Sequence, residues 1–194
     1  SAVSYLCHLA EIATPDGAHA PELYELLADT LQRIASSPAR QWGSDNRPAV
    51  PDQEVDSLTQ RASHIPPLLF WFELQLLDLL GVPPQIQRCT SCGCATATEL
   101  TAFSARRGGA ICKRCESLAS AAELESLPGD VLAILRRWQS AGTFDALSTI
   151  SYSDLQRQQM NRLLGAFLVY HLDLAPECRS VAYHMLDTVI RAVV

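Results

Sequence analysis

Apolar residues recur at helical spacing along most of this chain, and polar or turn-forming stretches divide them into blocks. Ser4–Ala13 is a short apolar block closed by Thr14-Pro15-Asp16-Gly17, the residue order of a type I turn. Pro21 then suits a first helical position, and Glu22 and Glu25 suit the positive end of a helix dipole. Leu23, Leu26, Leu27, Leu31 and Ile34 share one face, which predicts a helix. Residues 36–63 contrast with it: Ser36-Ser37-Pro38, Gly43-Ser44-Asp45, Pro48 and Pro51, with few apolar positions, read as a long polar surface loop. Leu68 to Leu80 is apolar almost all round and closed by Gly81 and Pro83-Pro84, the pattern of a helix at the centre of a core.

The character changes between Cys89 and Cys115, where small residues, Gly, Thr and paired cysteines surround one strand-like run, Glu99–Phe103. Helical signals return after it. Ser120 with Glu123, and Ser153 with Gln156, each have the spacing of a capping box. Pro128 precedes the periodic Val131, Leu132, Leu135 and Trp138, with Gly142 as a stop. The block from Ser153 runs through Leu163, Leu164, Phe167, Leu168 and His171 until Pro176 ends or kinks it, and Val181–Val193 is apolar at near-helical spacing. No repeat period appears. The sum is a mainly α fold, a helical bundle with an inserted four-cysteine module: residues 1–85 as its first part, 86–118 as the module and 119–194 as its second part.

Composition narrows the class. With 194 residues, 48% hydrophobic and 19% charged, the chain can bury its own core and is not disordered as a whole. No apolar run reaches the ~20 residues of a membrane span, and the N-terminus lacks an export signal, so a cytoplasmic setting is expected. A formal charge of −6 argues against polyanion binding over the whole surface, so any nucleic-acid contact must be local.

Seven cysteines without a secretion signal read as thiols or metal ligands. Cys89-x2-Cys92 and Cys112-x2-Cys115, 19 residues apart, have the spacing of a zinc ribbon, in which two knuckles bring four sulfurs to one tetrahedral ion. A four-thiolate shell leaves no open position for water, so such a zinc is structural. The alternative is two reduced or disulfide-linked pairs without metal. Cys94 could replace a ligand but fits less well than Cys89 and Cys92; Cys7 and Cys178 sit in apolar helical contexts and read as packing residues. Around the module Arg88, Arg106, Arg107, Lys113 and Arg114 stand against Glu99, a local reversal of the chain's sign. Two readings fit this equally: a patch facing phosphates, in weak contact with single- or double-stranded DNA, or cations that balance an anionic zinc–thiolate centre.

No phosphate-binding loop, dinucleotide fingerprint, nucleophile elbow or His-Glu-x-x-His helix is present, and the five histidines and the carboxylates are scattered. The sequence offers no residues for catalysis.

Several short motifs occur in one order across nearly the whole chain: Tyr5-Leu6, Pro21 to Leu27, Phe72-Glu73-Leu74, Leu79 to Pro83, Cys89-x2-Cys92-Gly93, Phe103-Ser104 before Gly108-Gly109, Cys112-x2-Cys115 and Tyr170-His171-Leu172. In this arrangement the chain resembles the C-terminal part of the RecO family of bacterial recombination mediators. The resemblance implies a non-enzymatic, cytoplasmic and nucleoid-associated DNA-repair protein, whose family members also carry an N-terminal oligonucleotide-binding barrel. It implies RecR and the single-strand DNA-binding protein as partners, help in loading a recombinase, and strand annealing. It further implies docking of an acidic, Phe-ending tail, for which Leu163, Phe167 and Tyr170 would supply the apolar pocket and Arg157, Arg162 or Arg179 the cation. The competing reading is a zinc-stabilised helical scaffold without DNA binding.

Overall fold

The computed structural model describes residues 2–14, 19–36, 51–146 and 150–193, with side chains for all of these except 51–64, 146 and 185–193. Seven α-helices and one small sheet, with short 3-10 turns, make up the described residues. The helices are α1 (Ala2–Ala13), α2 (Pro21–Ser36), α3 (Pro51–Leu79), α4 (Lys113–Glu116), α5 (Gly129–Ser140), α6 (Asp154–Leu172) and α7 (Pro176–Val193). The strands β1 (Leu100–Ser104), β2 (Gly109–Cys112) and β3 (Glu125–Ser126) form an antiparallel sheet in the order β2-β1-β3. Among the described residues no helix is long and apolar enough to cross a membrane.

The chain falls into two compact units, residues 1–72 with 177–194, and residues 73–176. This cuts across a three-part division at 85 and 118, because the cysteine module shares the second unit with α5 and α6. In the first unit, Tyr5, Leu6 and Leu9 form the buried stripe of α1, and Leu23 and Thr30 are the buried positions of α2. The other predicted face residues of α2, Leu26, Leu27, Leu31 and Ile34, are half-buried. The Tyr183 ring stacks on Phe70 at 5.2 Å and meets Tyr5 edge-on at 6.4 Å, the offset and T-shaped arrangements that aromatic quadrupoles favour.

Helix α3 departs from expectation at its start. Every residue from Leu68 to Leu74 is buried, as the all-round apolar pattern predicts. Its first residue, however, is Pro51, so 51–63 are helical and not loop, while 37–50 lie outside the described residues. Pro66 and Pro67 stand inside this helix, each removing one backbone donor. Burying each of the large apolar side chains beyond them stabilises by roughly 1.5–3 kcal/mol, enough to offset those losses. The turn read at Thr14–Gly17 also lies largely outside the described residues.

In the second unit, Phe103 of β1 packs on Phe167 of α6 at 5.8 Å, and Trp138 of α5 meets Tyr152 edge-on at 5.7 Å. Ser153 caps α6 with the predicted reciprocal box: Gln156 N donates to Ser153 Oγ at 3.3 Å and Ser153 N to Gln156 Oε1 at 2.8 Å. The Gln156 amide also donates to Asp130 at 2.6 Å, which holds the Asp130 carboxyl below its ordinary range. Ser153→Ala is expected to cost about 1 kcal/mol. It should appear as a lower urea midpoint at unchanged m-value; an unchanged midpoint would assign helix start to packing instead. The second box, at Ser120, forms no side-chain cap: Ala121–Glu123 make a 3-10 turn, Glu123 turns to Arg106, and β3 follows. Pairing of Glu125 and Ser126 with β1 wins over a helical start there, and α5 begins after Pro128. Pro176 is the first residue of α7; α6 ends earlier, at Leu172, with Asp173 in the left-handed region at φ 51°.

Candidate metal centre

Two turns carry the four paired cysteines. In the first, Cys89 N donates to the Cys94 carbonyl at 2.7 Å and Gly93 N to the Cys89 carbonyl at 2.9 Å. That closure needs φ 75° at Gly93, a conformation costly for any residue with a Cβ. The second begins where β2 ends: Cys112 closes the strand in extended conformation and Cys115 follows within α4. Thr90 N donates to Ala110 O at 2.9 Å and Cys112 N to Cys89 Sγ at 3.3 Å, joining the two turns.

The result gathers Cys89, Cys92, Cys112 and Cys115, whose sulfurs all lie within 4.8 Å of one another, with Cys92 and Cys112 3.6 Å apart. Four sulfurs at 2.3 Å from a tetrahedral ion lie about 3.8 Å apart, so this cage fits a thiolate-bound metal. Three of the cysteines are buried and Cys92 is exposed. Backbone amides are aimed at the sulfurs as they would be at bound thiolates. The Cys94 amide, helped by the Arg114 guanidinium, draws the Cys92 thiol down to about 6. Burial raises Cys89, but the amides of Cys112, Cys92 and Ser91 outweigh it and leave that thiol below its ordinary value. The neighbouring Cys92 and burial push Cys115 up to about 12. Four sulfurs this close cannot all ionise without a cation between them, and a divalent ion held there would supply that charge. Cys94 stands outside the cage, its thiol donating to Glu99 Oε2 at 2.8 Å.

Residues distant in sequence hold the cage in place. Arg136 of α5 donates to Ile86 O at 2.8 Å and Gln87 O at 3.1 Å, and Gln139 to Pro84 O at 2.8 Å, fixing the segment that leads into Cys89. His171 of α6 lies 3.0 Å from Ala105 O, at the entry of the β1–β2 turn. No local spacing signals these supports, because each contact spans about 50 residues or more.

The cations of the sequence analysis separate. Arg88, Arg106, Arg107, Lys113 and Arg114 are all exposed. Arg106 pairs with Glu123 at 2.7 Å, Arg107 donates to Ser91 Oγ at 3.1 Å, and Arg114 faces Cys92. Glu123, which lies beyond the module in sequence, cancels Arg106.

Burial divides the tail-docking set. Leu163 and Phe167 are 0% and 1% exposed, consumed by the core of their unit. Arg179 belongs to the other unit and is itself buried, its guanidinium 4.3 Å from the Tyr183 ring centroid. Arg157 is paired with Asp154 at 3.2 Å, while Arg162 and Tyr170 remain exposed. The burial of Leu163 and Phe167 leaves Tyr170 as the exposed aromatic of the set.

Residues 1–45 and 55–178 match the family model described as "Recombination protein O C terminal". The chain belongs to this RecO C-terminal family. Among its relatives, the DNA repair protein RecO of Alkaliphilus metalliredigens is 25% identical over 174 residues, covering 89% of this chain and 59% of the relative. That of Pelotomaculum thermopropionicum is 28% identical, over 88% of this chain and 55% of the relative. That of Roseiflexus sp. is 32% identical over a shorter stretch, 58% of this chain and 38% of the relative. The chain thus spans a little over half the length of the first two. No solved structure matches it. The RecO match takes in both cysteine pairs and the helices that flank them, so cage and supports fall within the family domain.

Proposed function

We propose that this chain is the zinc-organised helical part of a RecO-type DNA-repair mediator, which works by binding and not by catalysis. The observation that carries the reading is the four-sulfur cage within a family-matched domain, with exposed cations mounted on the two knuckles and on the β1–β2 turn. Zinc suits the cage because four thiolates are a soft, closed shell, and Cys89, Cys92, Cys112 and Cys115 would hold it. Bound there it would lock the two knuckles together and supply no chemistry to a substrate. RecR and the single-strand DNA-binding protein are the partners that go with a mediator of this class.

The competing scaffold reading requires that this chain leave DNA alone. Titration of a labelled oligonucleotide separates the two. Weak binding at low salt is expected, with log K falling against log salt at a slope of about −2, the value for roughly three phosphate contacts to a single strand. Arg107→Glu with Lys113→Glu should abolish it at unchanged metal content. Binding that ignores both salt and these substitutions would leave the cations the task of balancing the cage.

A further inference from the structure

We infer that Tyr170 is a base-stacking platform for single-stranded DNA, placed at one end of a cationic stripe that crosses the metal cage. The inference rests on the DNA reading above and adds to it a ligand preference and the residue that sets it.

A tyrosine ring that stands half in solvent presents an apolar face with a polar tip to a ligand. Tyr170 is 55% exposed although the rest of its helical neighbourhood is not: Phe167 and Leu168, one turn back, are buried. Its ring is nevertheless braced, standing edge-on to His171 at 5.1 Å, while His171 is packed against Phe167 at 4.1 Å. A braced ring with an open face can stack a base without first losing side-chain freedom.

From this ring a line of contacts runs to the cage. His171 reaches Ala105 O at 3.0 Å. Two residues on, Arg107 donates to Ser91 Oγ at 3.1 Å, beside the first knuckle. Arg114 faces Cys92 of that same knuckle. Tyr170, Arg107 and Arg114 are all exposed along this line, and all lie in one compact unit. An aromatic face followed by cations is the pattern by which proteins hold single strands without reading sequence: bases stack and phosphates track the positive groove. A duplex offers its phosphates to the cations but no unstacked base to the ring.

The fork is tested with the full chain and two probes, a labelled oligothymidylate and a duplex of equal length. Tyr170→Ala should weaken single-strand binding about tenfold, the loss of one aromatic–base stack. Duplex binding should stay the same, and Tyr170→Trp should restore the single-strand value. An oligonucleotide carrying 5-iodouracil should crosslink to Tyr170 on irradiation. If Tyr170→Ala leaves oligothymidylate affinity unchanged, or weakens duplex equally, the platform is wrong while the DNA reading survives. If the unaltered chain binds neither probe at low salt, both fall.

Discussion

Cys112→Ser is expected to take bound zinc from about one equivalent per chain to well under half, and to open the cysteine module locally. Cys112 is the residue on which the module turns: it ends β2, precedes α4, lies 3.6 Å from the Cys92 sulfur, and sends its amide to the Cys89 sulfur at 3.3 Å. Serine preserves the backbone but removes one thiolate from a shell that needs four. Structural zinc binding is worth on the order of 10 kcal/mol or more to a small metal domain. Amide exchange at Thr90 and Ala110, which bridge knuckle and strand, should quicken by roughly a hundredfold or more, about 3 kcal/mol of local opening. Helix α6 should keep most of its protection, because its core is apolar and its cap lies at Ser153. Elemental analysis under reducing conditions and exchange mass spectrometry provide the two readouts. Undiminished metal in the variant would mean that the ion sits elsewhere, and unchanged exchange would mean that the sheet holds without it.

Gly109→Ala is expected to cost about 3 kcal/mol and to part the segment before the first knuckle from β2. Gln85 N donates to Gly108 O and Ala110 N to Gln85 O, at 2.9 and 2.8 Å, so the two backbones approach closely across Gly109. A Cβ there would stand 2.2 Å from the Gln85 carbonyl oxygen and 2.7 Å from its nitrogen. Both atoms are backbone, so no rotamer change relieves the clash. The φ of 151° adds strain for any residue with a side chain. Gly108→Ala is the control: its Cβ meets open space, and the cost is the φ of 81° with about 1 kcal/mol of strain. A urea midpoint for Gly109→Ala equal to that of Gly108→Ala would show that the segment can shift without loss.

These effects trace back unevenly to the sequence. Cys-x2-Cys pairs announce a metal cage because two-residue spacing forces both sulfurs to one side of a tight turn, a local property. The same holds for Ser153 and Gln156, whose box closes within one helical turn, and for Leu68–Leu77, whose near-continuous apolarity demands burial, although Asp78 and Leu79 of the same block stay exposed. The box at Ser120 is an equally good local pattern that fails, because Glu123 finds Arg106 and the following residues find β1. Pro51 is the converse: proline-rich, polar sequence reads as loop, yet Pro51 opens α3.

What the sequence by itself determined is the α-rich class and the two cysteine knuckles, which rest on spacing within a few residues, and a family-like order of motifs, which is linear along the chain and needs no contact to be read. Tertiary structure alone decided what surrounds the cage and which side chains are available for binding. Leu163, Phe167 and Tyr170 share one helix and look alike as apolar candidates, but the folded unit buries the first two, Phe167 against Phe103 of β1, and leaves Tyr170 outside. Arg179 reads as a surface cation until Tyr183 and Phe70 are seen to cover it. Arg136, Gln139 and His171 reach carbonyls about 50 to 66 residues away, and Glu123 reaches Arg106 across 17. Burial and long-range pairing are properties of the folded chain as a whole, since they depend on which faces meet, and no window of sequence contains both partners.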